Sequence, residues 1–426
     1  MSEAIDLGAT TDALEQARQD AYHTPLDKLD VARGELFEQD LIWPYFERLR
    51  AEAPVHYCAE PEIANGPYWS VSTYDLIKEV DMNHEVFSSE PTIVIDDPDE
   101  DFTLPMFIAM DPPQHDEQRK VVSPVVGPRN LAALEPIIRQ RVCEILDSLP
   151  VGEPFNWVDR VSIELTTQML ATLFDFPWEE RRKLTRWSDV TTADEASGLV
   201  ESEEQRRAEM FECLECFTGL WHERANTKEP GNDLISLLAH GEATRDLVNR
   251  PMEFLGNLVL LIVGGNDTTR NSLSGGVLAL NQFPDQFAKL KADPGLIPNM
   301  VSEIIRWQTP LAHMRRTAKQ DTVLGGKQIK EGDRVVMWYV SGNRDETMFK
   351  NANDFIIDRE NARKHIAFGF GLHRCMGNRV AEMQLRIAWD EILKRFASVE
   401  VVGEPVRVRS SFVKGYLELP VQLTAK

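Results

Sequence analysis

Apolar residues return every three or four positions over most of this chain, the spacing that lines one face of a helix. "WPYFERLRAEAP" and "YDLIKEVDM" carry it early, "QHDEQRKVVSPVV" follows, and the longest example is "FLGNLVLLIVGGNDTTRNSLSGGVLALNQF". "NRVAEMQLRIAWDEILKRF" repeats it near the C-terminus. Strict alternation, the mark of a half-buried strand, is rarer. "VHYCAE" and "PYWSVST" predict an early hairpin, and "TVLGGKQI", "RVVMWYVS" and "VRVRSSFVKGYLELPVQL" predict a late group of strands. Between the early hairpin helix and "QHDEQRK" lies a long acidic and apolar loop, "EPTIVIDDPDEDFTLPMFIAM". Helices first and a minor β part later predict a mainly α fold of the α+β class rather than repeating βαβ units.

No low-complexity tract, repeat or Ser/Gly/Pro linker divides the chain, so we expect a single domain over residues 1–426, with residues 1–35 as a partly flexible N-terminal extension. The 42% hydrophobic composition is ample for a large core. The N-terminus, "MSEAIDLGATTDALEQ", has neither the basic nor the apolar region of a signal peptide. The longest apolar run is roughly half of what a bilayer span needs. These features predict a soluble, cytoplasmic protein. A net charge of −23 argues against a nucleic-acid partner. Five cysteines at wide spacings give no disulfide framework. Cys213 and Cys216 form a CxxC in a helical stretch and read as two core thiols, with a redox or metal pair as the alternative.

Four clusters carry chemistry. The first is "FGFGLHRCMG", residues 368 to 377. Cys375 stands just before a helix start, where backbone N–H groups and the helix dipole favour a thiolate. Glycines let the backbone approach a flat ligand. A thiolate held beneath a macrocycle is a way of ligating haem iron. A turn with a buried thiol and a Cys–His nucleophile are the other readings. The second cluster is "LIVGGNDTTR": Leu260, Val263, Gly264, Asp267 and Thr268 share one helical face. Paired glycines inside a helix cost roughly 1 kcal/mol each, which close approach of a ligand would offset. Asp267 and Thr268 beside the gap could pass protons to bound dioxygen. A Gly-Gly kink, with Thr268 bonded back to its own helix, is the structural alternative.

The third cluster is Glu303 with Arg306. Such a pair recurs elsewhere, as at Glu47/Arg50, and is usually a surface contact. This copy sits in an apolar helix upstream of the cysteine loop, and Arg359 could complete a buried triad with it. The fourth is His115 with Arg119, one helical turn apart behind Pro112 and Pro113. Together they could hold a bidentate anion such as haem propionates, or form a solvated basic face.

In this order and spacing the chain resembles the cytochromes P450, the haem-thiolate monooxygenases, over essentially its full length. The matching elements are His115/Arg119, residues 264 to 268, Glu303/Arg306, Arg359 and residues 368 to 377. The resemblance implies the P450 fold, a helix-rich triangular prism with small sheets, and haem b with O2 as co-substrate. By position, Cys375 resembles the iron ligand, and Phe368, Gly369, Gly264 and Gly377 belong to the haem-binding wall. His115, Arg119, Arg316 and His373 resemble propionate ligands, with Arg315 competing for the place of Arg316. Asp267 and Thr268 resemble the acid–alcohol pair, and Glu303, Arg306 and Arg359 the structural triad. The soluble bacterial branch draws electrons from a ferredoxin and its NAD(P)H reductase. Here residues 359 to 395 hold eight Lys/Arg against four Asp/Glu, net +4 in an acidic chain, and could steer such a partner. A peroxide-driven enzyme and a haem sensor are the rival classes; the former would not need Asp267 and Thr268.

Two stretches, "LPMFIAMDPPQHDEQRKVVSPVVGPRNL" and "FGFGLHRCMGNRVAEMQLRIAWDEIL", resemble the bacterial alkane and fatty-acid terminal hydroxylases. The expected pocket wall is Leu104, Met106, Phe107, Ile108, Leu260, Val263, Gly264, Leu311, Met314 and Phe412. Burying an eight-carbon chain at about 0.8 kcal/mol per methylene gives about 6 kcal/mol, a dissociation constant on the order of ten micromolar. The acidic "DDPDED" run beside this wall favours neutral chains over carboxylates. We therefore expect terminal hydroxylation of medium-chain n-alkanes, with fatty acids or compact rings such as terpenoids as alternatives.

Overall fold

The long apolar stretch from Pro251 to Gln282 forms one unbroken helix of 32 residues, about 48 Å long at 1.5 Å per residue. Its two glycine pairs do not break it, because neighbouring elements press on both sides. A computed structural model of the chain describes residues 7–62, 64–193 and 198–426. In chain order its helices are α1 (Thr11–His23), α2 (Gly34–Glu38), α3 (Trp43–Glu52), α4 (Tyr74–Met82), α5 (Gln114–Val122), α6 (Pro128–Asp147), α7 (Glu164–Phe174), α8 (Arg182–Thr192), α9 (Glu203–Ala225), α10 (Leu234–His240), α11 (Pro251–Gln282), α12 (Pro284–Ala292), α13 (Ile297–Gln308), α14 (Tyr339–Gly342) and α15 (Asn378–Arg395).

The largest sheet orders its strands β1-β2-β8-β5-β3. The hairpin β1 (Val55–Cys58) and β2 (Tyr68–Val71) is antiparallel, and β2 then runs parallel to β8 (Arg334–Met337). β3 (Phe87–Ser88) and β5 (Met314–Ala318) complete it. A three-stranded sheet joins β4 (Phe155–Asn156), β12 (Pro420–Ala425) and β9 (Phe396–Val401). The hairpins β6 (Thr322–Leu324) with β7 (Lys327–Ile329), and β10 (Val406–Arg407) with β11 (Tyr416–Glu418), finish the β part. The helix-dominated α+β expectation therefore describes the fold.

Three local expectations change. "RVVMWYVS" is a strand only to Met337. Trp338 turns inward, its ring against Phe37 and Phe46 and its Nε1 donating to Ser70 Oγ, and the chain curls into α14. "FASVEV", read as the tail of a helix, pairs with β12 as β9. The N-terminal segment is packed rather than loose from Thr11 onward: Ala17 and Ala21 are buried, and Arg18 pairs with Glu47 of α3. Residues 1–6 lie outside the described residues.

Two apolar cores flank α11. One joins α6, α7, α13 and α15, with Trp157 and Trp389 fully buried. The other joins α8, α9 and α10 to the first half of α11, with Trp187 and Phe217 at its centre. Cys213 belongs to this second core and Cys216 packs against it, and burial pushes both thiols above their ordinary range. The cavity described below lies where the two cores meet.

Candidate active site

Gly369 and Gly371 both take left-handed backbone angles, with φ of 67° and 63°. At Gly371 a Cβ would stand 2.8 Å from the Asp81 carbonyl oxygen, so only glycine fits that crossing of α4. The Phe370 N–H donates to Asp81 Oδ2 at 2.7 Å, and the Cys375 N–H closes the loop onto the Phe368 carbonyl at 2.8 Å. Cys375 is thereby held deep in the protein, and the surface it exposes is cavity surface. Burial pushes its thiol above the ordinary value. The N–H groups of Gly377 and Asn378 and the charges of Arg119 and Arg374 work in the opposite direction.

The cavity has a volume of about 540 Å³. All ten residues expected to form the pocket wall line it: Leu104, Met106, Phe107, Ile108, Leu260, Val263, Gly264, Leu311, Met314 and Phe412. Arg119, Arg316, Phe368, Gly369, His373, Cys375 and Gly377 line it as well. The glycine pair of α11 divides its work. A Cβ on Gly264 would meet nothing within 4 Å, because it faces the cavity, whereas one on Gly265 would strike Leu170 Cδ2 at 2.6 Å. Thr268 also lines the cavity while its Oγ1 donates to the Gly264 carbonyl at 3.0 Å. Back-bonding and cavity exposure, set against each other in the sequence, coexist.

Two expected site residues stand elsewhere. Asp267 has no exposed surface and does not line the cavity. Successive helical residues are turned by about 100°, so Asp267 sits at the edge of the face, where α8 covers it. Ser188 Oγ donates to its Oδ1 at 3.1 Å, Thr192 Oγ1 to its Oδ2 at 3.3 Å, and Arg270 Nη2 lies 2.9 Å from Oδ1. Burial raises its pKa against the opposing charge of Arg270, and Asp189 adds to the rise. His115 is fully buried but is not a wall residue; it stands behind His373, ring centroids 4.3 Å apart.

That imidazole pair is short of partners. His115 Nδ1 meets Asp116 at 2.8 Å and His373 Nε2 meets Ser89 Oγ at 2.8 Å, while His115 Nε2 and His373 Nδ1 are buried with none. Burial lowers the pKa of both, and Arg316 and Arg119 lower that of His373 further. Four basic side chains thus converge on one edge of an otherwise apolar cavity, an arrangement that fits carboxylates of a ligand. Arg316, not Arg315, is the arginine that takes part. β5 alternates, so Met314 and Arg316 share the cavity face. Arg315 turns away to the Ile95 carbonyl and Asp97, at 2.9 and 2.8 Å. Arg316 is itself braced by Asp81 at 2.8 Å.

The triad is assembled as a buried unit. Glu303 accepts from Arg306 at 2.7 and 2.8 Å, from Arg359 at 3.0 and 3.1 Å, and from the Ile356 N–H at 2.9 Å. The two guanidinium groups bond carbonyls of Asn343, Ala352, Asn351 and Asp354, tying the segment before the cysteine loop to α13.

The acidic run is not a free solvated loop. Asp97 pairs with Arg315 and Arg334, and Asp99 and Asp101 pair with Arg207 of α9 at 3.1 and 2.9 Å. Its neutralised charge carries less weight against an anionic substrate than the sequence suggested. Sequence reasoning also passed over Phe102, Thr191, Thr192, Tyr339 and Gln384, which line the cavity. Arg316 could have been settled by alternation from Met314. Thr192 ends an ordinary amphipathic helix and gives no local signal.

The chain is 34% identical over 414 residues to the linalool 8-monooxygenase of Pseudomonas putida, covering 94% of this chain and 100% of that protein. It belongs to the cytochrome P450 family. The family's sequence model, described as cytochrome P450, matches residues 295–415. A methyl-branched lipid omega-hydroxylase of Mycobacterium tuberculosis is 31% identical over 88% of this chain and 90% of its own length. Among solved structures, CYP153D17 from Sphingomonas sp. PAMC 26605 superposes with a TM-score of 0.88 at 50% identity, covering 94% of this chain and all of that one. The protein is thus a P450 monooxygenase, an oxidoreductase of a family that uses haem b, O2 and NAD(P)H-derived electrons delivered by redox partners. The residues present fit that group: an open thiol, two glycine positions whose Cβ would meet nothing, and the orphaned imidazole nitrogens. Among the described residues no helix is long and apolar enough to cross a membrane.

Proposed function

We propose that this P450 hydroxylates the terminal carbon of medium-chain n-alkanes or related apolar chains. The observation that carries the reading is the cavity wall: aliphatic and thioether side chains from five separate segments meet opposite Cys375. Such a wall binds a chain through buried methylenes, at about 0.8 kcal/mol each, with no polar anchor required. The omega-hydroxylase among the relatives acts, by its name, at a chain end.

In this reading Cys375 ligates the iron, and Arg119, Arg316, His373 and His115 hold the propionates. Bound haem supplies the activation of dioxygen. Two electrons from NAD(P)H and two protons convert O2 and the alkane to alcohol and water. Thr268, facing the cavity beside Gly264, holds a hydroxyl where protons are needed. The wall excludes water and presents the terminal methyl, so regiochemistry follows from geometry.

Electron delivery uses a ferredoxin that docks on the cysteine-loop side. Of the eight cations between 359 and 395, Arg359 is buried on Glu303, and Lys394 and Arg395 are paired with Asp390, Glu391 and Asp147. The other five, Arg363, Lys364, Arg374, Arg379 and Arg386, are exposed and form no ion pair with the described residues. They leave a basic patch on an acidic protein.

Titration of the aerobically purified protein with n-octane, octanoate and limonene, followed by the Soret band, tests the substrate. A shift to high-spin iron with octane at micromolar levels, with 1-octanol as product, is expected. A response to octanoate or limonene alone overturns the alkane reading. The paired state of the acidic loop and the relative named for linalool favour, as the second reading, chains that carry a polar group.

A further inference from the structure

Asp267 is the one carboxylate next to the α11 gap, yet no part of it reaches the cavity. Of the four side chains bonded to it, Ser188, Thr192, Asn266 and Arg270, only Thr192 lines the cavity wall. Thr192 Oγ1 stands 3.3 Å from Asp267 Oδ2 and 3.1 Å from the Ser188 carbonyl. On its far side Asp267 is tied through Arg270 to Asp189, 2.7 Å from Arg270 and with 24% of its side chain exposed. The cluster spans the wall of α8 and α11 from solvent to cavity, and Thr192 is its inner end.

We infer that Thr192 is the hydroxyl through which Asp267 delivers protons to the cavity. The inference rests on the monooxygenase reading above and adds to it a residue on a different helix from Thr268. The step is a pure proton transfer. Thr192 Oγ1 accepts the proton from Asp267 Oδ2 and releases its own hydroxyl proton into the cavity, and Asp267 regains a proton from solvent on the Asp189 side. Only O–H bonds break and form, and no electrons move. Arg270 keeps its charge throughout and holds Asp267 in place. Burial, which favours the neutral carboxyl, keeps a proton available there.

The test compares Thr192→Val, which replaces the hydroxyl by a methyl of similar size, with Thr192→Ser, which restores it. The substrate is whichever of n-octane, octanoate and limonene gives the largest Soret shift in the wild type, so the outcome does not depend on the alkane assignment. Thr192→Val is expected to give the same Soret titration as the wild type. Product formed per NAD(P)H consumed should fall several-fold, with the missing electrons recovered as hydrogen peroxide, and Thr192→Ser should restore coupling. Turnover driven by added hydrogen peroxide, which brings its own protons, should be unchanged in Thr192→Val. Unchanged coupling in Thr192→Val overturns the inference. So does a loss of peroxide-driven turnover or of substrate binding alongside coupling, because that pattern marks a structural role.

Discussion

Lys414 lies in the loop that carries Phe412 to the cavity, and it is buried where a charge is hard to keep. Its Nζ reaches the Gln308 carbonyl at 3.2 Å and Gln308 Oε1 at 3.4 Å, between the indoles of Trp43 and Trp307 at 5.5 and 5.6 Å. Burial pushes the ammonium down to about 7; Asp40 opposes the fall, and Arg344 and Arg407 add to it. The unfolded chain holds this proton up to about pH 10.4. Between pH 7 and 10 the unfolded state therefore binds more protons, and folded stability rises with pH by up to about 1.4 kcal/mol per unit. From pH 7 to 9.5 the gain is about 3 kcal/mol. Lys414→Met keeps the length of the side chain and removes the titration. At pH 7 it should be more stable than the wild type, with an advantage that shrinks by about 3 kcal/mol by pH 9.5. Urea unfolding of both proteins at the two pH values measures this, and the difference between them cancels every other titrating group. A constant difference would refute the reasoning: the ammonium would then stay charged in the fold, held by the two indole faces.

Thr268→Ala should leave substrate binding unchanged and divert NAD(P)H electrons into hydrogen peroxide; intact coupling, measured as product per NAD(P)H, would remove Thr268 from proton delivery. Reversing Arg363 and Lys364 to glutamate should slow reduction by the ferredoxin in stopped flow and flatten its dependence on salt; an unchanged rate would move the docking face elsewhere. Glu303→Gln leaves two buried guanidinium groups without their carboxylate and should cost about 3–5 kcal/mol in denaturant unfolding, with lower haem content on purification. A loss below about 1 kcal/mol would mean that the carbonyls around Arg306 and Arg359 suffice on their own.

Features set by short-range chemistry were legible in the sequence. The helical period placed α4, α11 and α15, because i, i+3 and i+4 spacing is a property of the chain itself. The cysteine loop announced itself because glycines at 369 and 371 and a cysteine before a helix start are unusual residues for positions only a few bonds apart. The cavity wall was legible as composition and order, through the resemblance. What the sequence could not settle was direction. Asp267 and Thr268 are neighbours in the chain, yet one faces α8 and the other the cavity, and only the packing of α8 on α11 decides which. Arg315 and Arg316 are divided by the alternation of a strand that the sequence reading did not assign. The charges of the acidic loop looked free because their partners, Arg207, Arg315 and Arg334, lie more than a hundred residues away. Thr192 reaches the site only because two helices far apart in sequence close against each other. Side-chain direction across such contacts is fixed by burial and by the need to pair each buried charge, and those terms exist only once the chain has folded.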